Sequence, residues 1–143
     1  MSEYIVHPNY DERGGDFDFA IVTLTNPILV DNRAVPACLP PESWGEEFLV
    51  GKKLTISGWG FTSEGGEFLS DILRSVNVPG ISNSECRSLY VNSLQITDQM
   101  ICAGQVERGG TGGCIGDSGG NTDLSTLYSM HCNVNFLLLS NNI

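Results

Sequence analysis

The sequence has few basic residues and no long apolar segment. Lys and Arg make up 7 of its 143 residues, against 17 Asp and Glu, which gives a formal net charge of −10 at pH 7. Proteins bind nucleic acids and anionic lipid surfaces through clustered Lys and Arg side chains, so this composition argues against both partners. The apolar run at residues 136–139 is far shorter than the ~20 residues that a transmembrane helix needs. We therefore expect neither a nucleic acid nor a membrane as a partner.

The start of the sequence lacks the features of a secretory signal. Residues 1–4 contain neither a basic region nor the beginning of an apolar core. We therefore expect a soluble chain without a signal peptide. Its length of 143 residues suffices for one ordinary domain.

The five cysteines lack the paired Cys-x-x-Cys spacing of a zinc site. We therefore expect no metal and no cofactor. The odd number leaves at least one thiol free or bonded to another molecule. The cysteines are Cys38, Cys86, Cys102, Cys114 and Cys132.

A glycine-rich stretch, residues 112–120, carries the candidate nucleophile Ser118. Glycine tolerates positive φ, so glycines on both sides of a serine allow a sharp turn that a substrate can approach. A serine hydroxyl needs a general base within hydrogen-bond reach to act as a nucleophile. The N–H groups of Gly116 and Ser118 could converge to form an oxyanion hole. The alternative is a turn with an incidental serine, and we favour catalysis because the Gly-Asp-Ser-Gly-Gly run follows Cys114.

Asp18 is a second candidate, within a strand predicted for residues 17–24. A carboxylate on an apolar strand face is costly unless it is hydrogen-bonded or paired. A histidine ring as partner would give Asp18 an orienting function. The alternative is a strand-end residue turned to solvent. The apolar residues on the same face of the alternating pattern are Ala20, Val22 and Leu24.

Short strands and glycine-rich turns dominate the rest of the sequence. Pro and acidic residues indicate a surface connection between two half-domains at residues 31–53. Further strands are predicted for residues 52–59 and for residues 72–78, the second closed by Pro79 and Gly80. This pattern indicates an all-β fold.

One short helix is predicted near residues 83–90. Ser82 and Glu85 have the spacing of a capping box, in which each side chain binds a backbone N–H of the first helical turn. Cys86 would lie in that first turn.

Several segments resemble, in the same chain order, the motifs of the chymotrypsin family of serine proteases. Residues 114–120 (CIGDSGG) resemble its active-serine segment, and residues 18–24 (DFAIVTL) resemble its catalytic-aspartate strand. The resemblance covers residues 5–120. The remaining matching segments are residues 37–40 (ACLP), which resemble the connection between barrels, 56–60 (ISGWG), the opening of the second barrel, and 100–104 (MICAG).

This resemblance implies a partial chymotrypsin-like double β-barrel. Residues 1–120 would form a partial catalytic domain, and residues 121–143, which match nothing in the family pattern, an unstructured tail. Within the domain, the end of the first barrel would be residues 1–30, the inter-barrel connection residues 31–53 and the incomplete second barrel residues 54–120.

The resemblance also implies a serine endopeptidase that acts on polypeptides through an acyl-enzyme, without a cofactor, in a secreted parent enzyme. Ser118 would be the nucleophile, Asp18 the orienter of a histidine, and Gly116 with Ser118 the oxyanion hole. Gly112 would form the base of the substrate pocket, with Gly113 and Ile115 beside it. An uncharged, roomy floor implies a preference for large apolar residues.

The family's histidine motif, Ala-Ala-His-Cys, does not occur in the sequence. The resemblance makes His7 a non-catalytic turn residue, and His131 follows the serine, whereas the family's base precedes the aspartate. We therefore expect these 143 residues to be inactive alone. The alternatives are a catalytically dead homologue that acts as a binding module, and a truncated product that does not fold.

Two further expectations follow from the resemblance. It pairs Cys86 with Cys102 in a disulfide. It also gives Asp117 a salt bridge to the amino terminus of the mature enzyme, and we expect Asp117 to lack this counter-charge here.

Overall fold

The computed structural model of the protein describes residues 3–41, 43–63, 65–92, 94–107, 111–124 and 138–140. Strands predominate in these residues, which confirms the predicted all-β class. Both helices are short, and no helix in the described ranges has the length and hydrophobicity needed to cross a bilayer. The elements are β1 (Glu3–Val6), β2 (Phe19–Thr23), α1 (Glu46–Leu49), β3 (Lys53–Gly58), β4 (Arg74–Ile81), α2 (Asn83–Leu89), β5 (Cys102–Ala103), β6 (Asn121–Leu124) and β7 (Leu138–Ser140).

The first sheet has the strand order β1-β2-β7, and both pairs are antiparallel. Its central strand, β2, starts one residue after Asp18 and is half-buried over most of its length. The side chains of β1 are all exposed. This sheet therefore carries the aspartate candidate at the start of its middle strand.

The second sheet has the order β5-β4-β3-β6 and contains the main apolar core. Leu54 of β3 lies opposite Val78 of β4, and their side chains are 3% and 1% exposed. Period-2 alternation places Leu54 and Gly58 on one face, and both are buried. The partly buried side chains around this core are Trp44, Leu49, Ile56, Val76 and Ala103.

The predicted bounds of two strands, residues 17–24 and residues 72–78, are wrong. The strand expected at residues 17–24 begins only at Phe19, because Phe17 has a positive φ of 51° that interrupts the extended backbone. The strand expected to close at Pro79 continues to Ile81. The Pro79 carbonyl accepts a hydrogen bond from the Gly104 N–H, just past the end of β5. Proline has no backbone N–H to donate, and Pro79 therefore lies where the hydrogen bonding between β4 and β5 ends.

The connection and the tail contain more regular structure than expected. Helix α1 lies within residues 31–53, and two acidic residues in its first turn complement the helix dipole. In the segment 121–143, for which we expected no structure, β6 pairs with the free edge of β3 and β7 pairs with β2. Among the described residues the two sheets remain open and form no closed barrel.

Helix α2 confirms the predicted short helix. The Ser82 hydroxyl caps it by accepting a hydrogen bond from the Glu85 N–H at 3.2 Å. Cys86 follows in the first turn, is 3% exposed and forms a disulfide with Cys102 of β5. The expected pairing is therefore confirmed, and it joins α2 to the edge of the second sheet. Cys114 is a free thiol.

We predict that removing this disulfide destabilises the protein. Cys86 and Cys102 are 16 positions apart, and opening a loop of this size costs about 3 kcal/mol in the chain-entropy model. The double variant Cys86→Ser/Cys102→Ser should lose about that amount of unfolding free energy in urea titrations. Cys114→Ser is the matched control, because its thiol is free. Equal stability of the double variant and the wild type would contradict the prediction.

Candidate active site

Ser118 lies on an exposed turn directly before β6. Gly116 and Gly119, on either side of it, have φ values of 94° and 79°. Side-chain-bearing residues rarely adopt this left-handed region, which explains the glycines in the Gly-Asp-Ser-Gly-Gly run. The backbone therefore turns sharply around Ser118 and leaves its side chain at the surface.

The side chain of Asp117 anchors this turn. Its Oδ1 accepts a hydrogen bond from the Gly60 N–H at 2.6 Å, and its Oδ2 accepts one from the Cys114 N–H at 2.9 Å. Hydrogen bonds to an ionised group each stabilise by about 1.5–3 kcal/mol. Among the described residues Asp117 forms no salt bridge. Neutral backbone donors thus bind the carboxylate for which the resemblance implied a cationic partner.

The glycines of the segment 56–60 make this contact possible. A Cβ on Gly60 would lie 2.5–2.7 Å from the carboxyl atoms of Asp117, and one on Gly58 would approach Oδ1 to 2.2 Å. These glycines belong to a segment that resembles the opening of the family's second barrel, but the sequence pattern did not indicate that they make room for the Asp117 side chain. The available signal was a glycine at the end of a strand, which often marks a close approach of another segment.

The turn has two further contacts with the segment that follows β3. The Phe61 N–H donates to the Ile115 carbonyl at 2.9 Å. Gly116 packs against Leu69, whose Cδ2 would lie 2.5 Å from an added Cβ. The Ile115 side chain is 73% exposed, so an apolar group borders the serine at the surface.

The candidate oxyanion donors have no hydrogen-bond acceptor within the described structure. The backbone N–H groups of Gly116 and Ser118 donate to no described acceptor, whereas the intervening Asp117 N–H donates to the Cys114 carbonyl at 2.9 Å. In the turn that exposes Ser118, two N–H groups without a described acceptor therefore lie on either side of one that is hydrogen-bonded.

Asp18 lies in a tight turn immediately before β2. The Phe19 N–H donates across it to the Phe17 carbonyl at 2.9 Å. The carboxylate is half-buried, and desolvation raises its pKa above the ordinary value. It accepts no hydrogen bond from the described residues, and no hydrogen bond joins Asp18 to Ser118 there. The structure thus brings Asp117, Gly116 and Ser118 together and leaves Asp18 without a partner in the described part of the chain.

The ring of His7 packs in the first half of the chain. It stacks on Phe17 with a centroid distance of 4.7 Å and an interplanar angle of 4°, and contacts Phe19 at 4.6 Å. Its Nδ1 accepts a hydrogen bond from the Asn9 N–H at 3.2 Å. His7 is thereby engaged in the turn that the sequence predicted around it, and His131 lies outside the described residues.

The predicted pocket residues form an open surface. Gly112 is exposed, and a Cβ added to it would meet no atom within 4 Å. The cavities that the described residues line elsewhere include one of about 550 Å³ beside Arg87 and Ile96 and one of about 220 Å³ beside Pro79 and Val106. No group of three or more His, Cys, Asp or Glu side chains in the described ranges is arranged to hold a metal ion.

We predict that the contact between Gly60 and Asp117 is intolerant of a methyl group. Gly60→Ala should displace the anchored turn and lower the unfolding free energy by about 1–3 kcal/mol, the usual cost of overpacking. Gly112→Ala is the matched control, because its Cβ would point into open space. Urea denaturation measures both variants, and equal stabilities would contradict the close packing of Asp117 on Gly60.

Comparison with known proteins identifies the family. The family model described as Trypsin matches residues 1–122. The chain is 37% identical over 123 residues to the serine proteinase stubble of Drosophila melanogaster, a match that covers 84% of this chain and 15% of that protein. It is 40% identical over 114 residues to Trypsin 5G1 of Aedes aegypti, covering 80% of this chain and 41% of the relative. It is also 40% identical over 115 residues to the transmembrane protease serine 9 of Rattus norvegicus, covering 80% and 10% respectively.

The chain spans less than half the length of each of these relatives. The match to the family model nevertheless includes both segments that carry the candidate residues, the aspartate turn and the serine turn. This confirms the resemblance that the motifs indicated: the chain belongs to the trypsin family of chymotrypsin-like serine proteases.

Proposed function

We propose that this chain carries the serine and aspartate of a serine endopeptidase that cleaves polypeptides through an acyl-enzyme. The observation that carries the proposal is the turn anchored by Asp117, which presents an exposed Ser118 between glycines of positive φ. Such a turn exposes a nucleophile at the surface, while the hydrogen bonds of Asp117 fix the backbone that carries it.

In this mechanism the Ser118 Oγ attacks the carbonyl carbon of the scissile peptide bond while a histidine takes its proton. The oxyanion that forms would accept hydrogen bonds from the Gly116 and Ser118 N–H groups, which have no described acceptor of their own. The histidine then protonates the leaving amine. Water hydrolyses the acyl-enzyme and regenerates the serine hydroxyl.

We assign Asp18 the role of orienting that histidine. Its carboxylate is half-buried and has no hydrogen bond with the described residues, so an acceptor is available for an imidazole N–H. His7 is an unsuitable base, because its ring stacks on Phe17 and its Nδ1 is already an acceptor. We therefore propose that the 143 residues alone do not complete the triad.

We further propose that the enzyme acts outside the cell. The disulfide between Cys86 and Cys102 supports this, since disulfides persist in oxidising compartments and are rare in reducing ones. The acidic balance of the sequence favours a polypeptide substrate over a nucleic acid.

We predict that the purified chain shows no Ser118-dependent turnover by itself and gains Ser118-dependent acylation when imidazole is added. Free imidazole replaces the missing base next to Asp18, so an activated peptide ester should acylate Ser118. Intact-mass spectrometry detects the acyl adduct. Ser118→Ala, which lacks only the hydroxyl oxygen, is the matched control for hydrolysis catalysed by imidazole in solution.

Three results would contradict the proposal or a part of it. Acylation that is equal in wild type and Ser118→Ala would exclude Ser118 as the nucleophile. Peptide binding by both proteins without acylation would instead identify a binding module. Ser118-dependent turnover without imidazole would contradict inactivity of the chain alone, and His131→Ala would then test whether that residue is the base.

We predict a preference for large apolar residues on the acyl side of the cleaved bond. The proposed pocket floor at Gly112 is uncharged and has no atom within 4 Å of an added Cβ, so it offers no charge for Lys or Arg. In imidazole-supported acylation, matched Phe and Leu esters should react at least about tenfold faster than the Arg ester. Gly112→Asp should reverse this order. An Arg preference in the wild type would show that other residues determine specificity.

A further inference from the structure

The residue before Asp18 has an unfavourable backbone conformation. Phe17 has a φ of 51° and is the one non-glycine residue in the described ranges with a positive φ. A bulky residue persists there only when its surroundings enforce the conformation, and such residues concentrate at functional sites. Two independent sets of contacts enforce it in this chain.

The first set is an aromatic clamp. The rings of Phe17 and Phe19, on either side of Asp18, both pack on the ring of His7, at centroid distances of 4.7 and 4.6 Å. The backbone N–H of His7 also donates to the Phe19 carbonyl at 3.1 Å. Both neighbours of Asp18 are therefore held by one residue of the preceding loop.

The second set connects the turn to the half of the chain that carries Ser118. The Asp16 Oδ1 accepts a hydrogen bond from the Phe17 N–H at 3.0 Å and another from the Thr97 hydroxyl at 2.7 Å. Thr97 is itself fixed, because its carbonyl accepts a hydrogen bond at 3.1 Å from the side chain of Asn83, which is 1% exposed. The bond from Thr97 to Asp16 spans 81 positions.

We propose that residues 16–19 form a locked turn that fixes the position of Asp18, and that His7 and Thr97 are its positioning residues. The inference rests on the proposed function, in which Asp18 must hold a histidine next to Ser118. The aromatic clamp fixes the backbone orientation of Asp18. The Thr97 hydroxyl, through Asp16, fixes the position of Asp18 relative to the second sheet.

The choice of residue at position 17 supports a positioning role. Gly, or to a lesser degree Asn, would adopt a positive φ at lower cost. The sequence has Phe instead, and the ring of that Phe forms the clamp. The strained backbone and the ring that restrains it thus belong to one residue, directly next to the candidate catalytic carboxylate.

The test compares variants that remove one contact with variants that keep it. His7→Ala removes the ring and His7→Phe keeps it. Thr97→Val removes the hydroxyl at nearly constant shape, and Thr97→Ser keeps it. Tyr4→Ala is the control for loss of an aromatic ring in the same sheet, since Tyr4 is 64% exposed and stacks on no described ring.

The first measurement is NMR titration of the 143-residue chain labelled with ¹³C at the aspartate carboxyls, with the Asp18 signal assigned from Asp18→Asn. In the wild type, burial raises the pKa of Asp18. Release of the turn should expose the carboxylate and lower its pKa toward the ordinary value in His7→Ala and Thr97→Val. The ring- and hydroxyl-keeping variants and Tyr4→Ala should titrate like the wild type.

The second measurement is the rate of imidazole-supported acylation of Ser118. His7→Ala and Thr97→Val should reduce it at least tenfold at saturating ester, with the ester concentration for half-maximal rate unchanged. His7→Phe and Thr97→Ser should restore it. This pattern separates positioning of Asp18 from a loss of substrate binding.

The two measurements distinguish the failure of each proposal. An unchanged Asp18 titration in both His7→Ala and Thr97→Val would overturn the locked turn, even if Ser118 is acylated normally. A shifted titration without acylation in any protein would support the locked turn and contradict the protease function. If His7→Ala does not fold, Thr97→Val alone decides, because it removes only the bond to Asp16 and the one that the Thr97 hydroxyl accepts from the Gln99 N–H, and changes no ring contact.

Discussion

The pair of hydrogen bonds that the Asp117 carboxylate accepts from the Gly60 and Cys114 N–H groups determines the geometry of the serine turn. One oxygen binds the backbone two residues past the end of β3, and the other closes the turn on itself. Ser118 is the next residue, so its backbone position follows from this anchor. A carboxylate that accepts two backbone donors is a strong and directional restraint.

The same anchor explains why distant glycines occur in this sequence. Asp117 occupies the space next to β3 that side chains at positions 58 and 60 would otherwise fill. Gly120 is restricted as well, because an added Cβ would lie 2.6 Å from the Asp117 carbonyl oxygen. The segments 56–60 and 114–120, which are separate in the sequence, therefore pack against each other, and a larger residue in one would require a change in the other.

Local rules predicted the features that depend on neighbouring residues. The Ser82 cap and the strand β3 follow from spacing within one helix turn or one strand, and the structure has both. The serine turn followed from its glycines in the same way. The sequence could not predict the positive φ of Phe17, because His7, ten positions earlier, and Thr97, through Asp16, impose it. It also could not predict backbone partners for Asp117, because those depend on where the end of β3 lies in space.

The two catalytic candidates, Ser118 and Asp18, differ in how many hydrogen bonds their surroundings provide. The serine turn is anchored by described contacts, whereas the Asp18 carboxylate is half-buried without a hydrogen bond from them. Because burial without a partner raises the pKa of a carboxyl group, an imidazolium beside Asp18 would act in the opposite direction and favour the ionised form. Linkage makes this coupling reciprocal, so Asp18 should bind an imidazolium more tightly once it is ionised. A partly desolvated carboxylate that is held in place is therefore suited to stabilise the charge that develops on a catalytic histidine when it takes the serine proton.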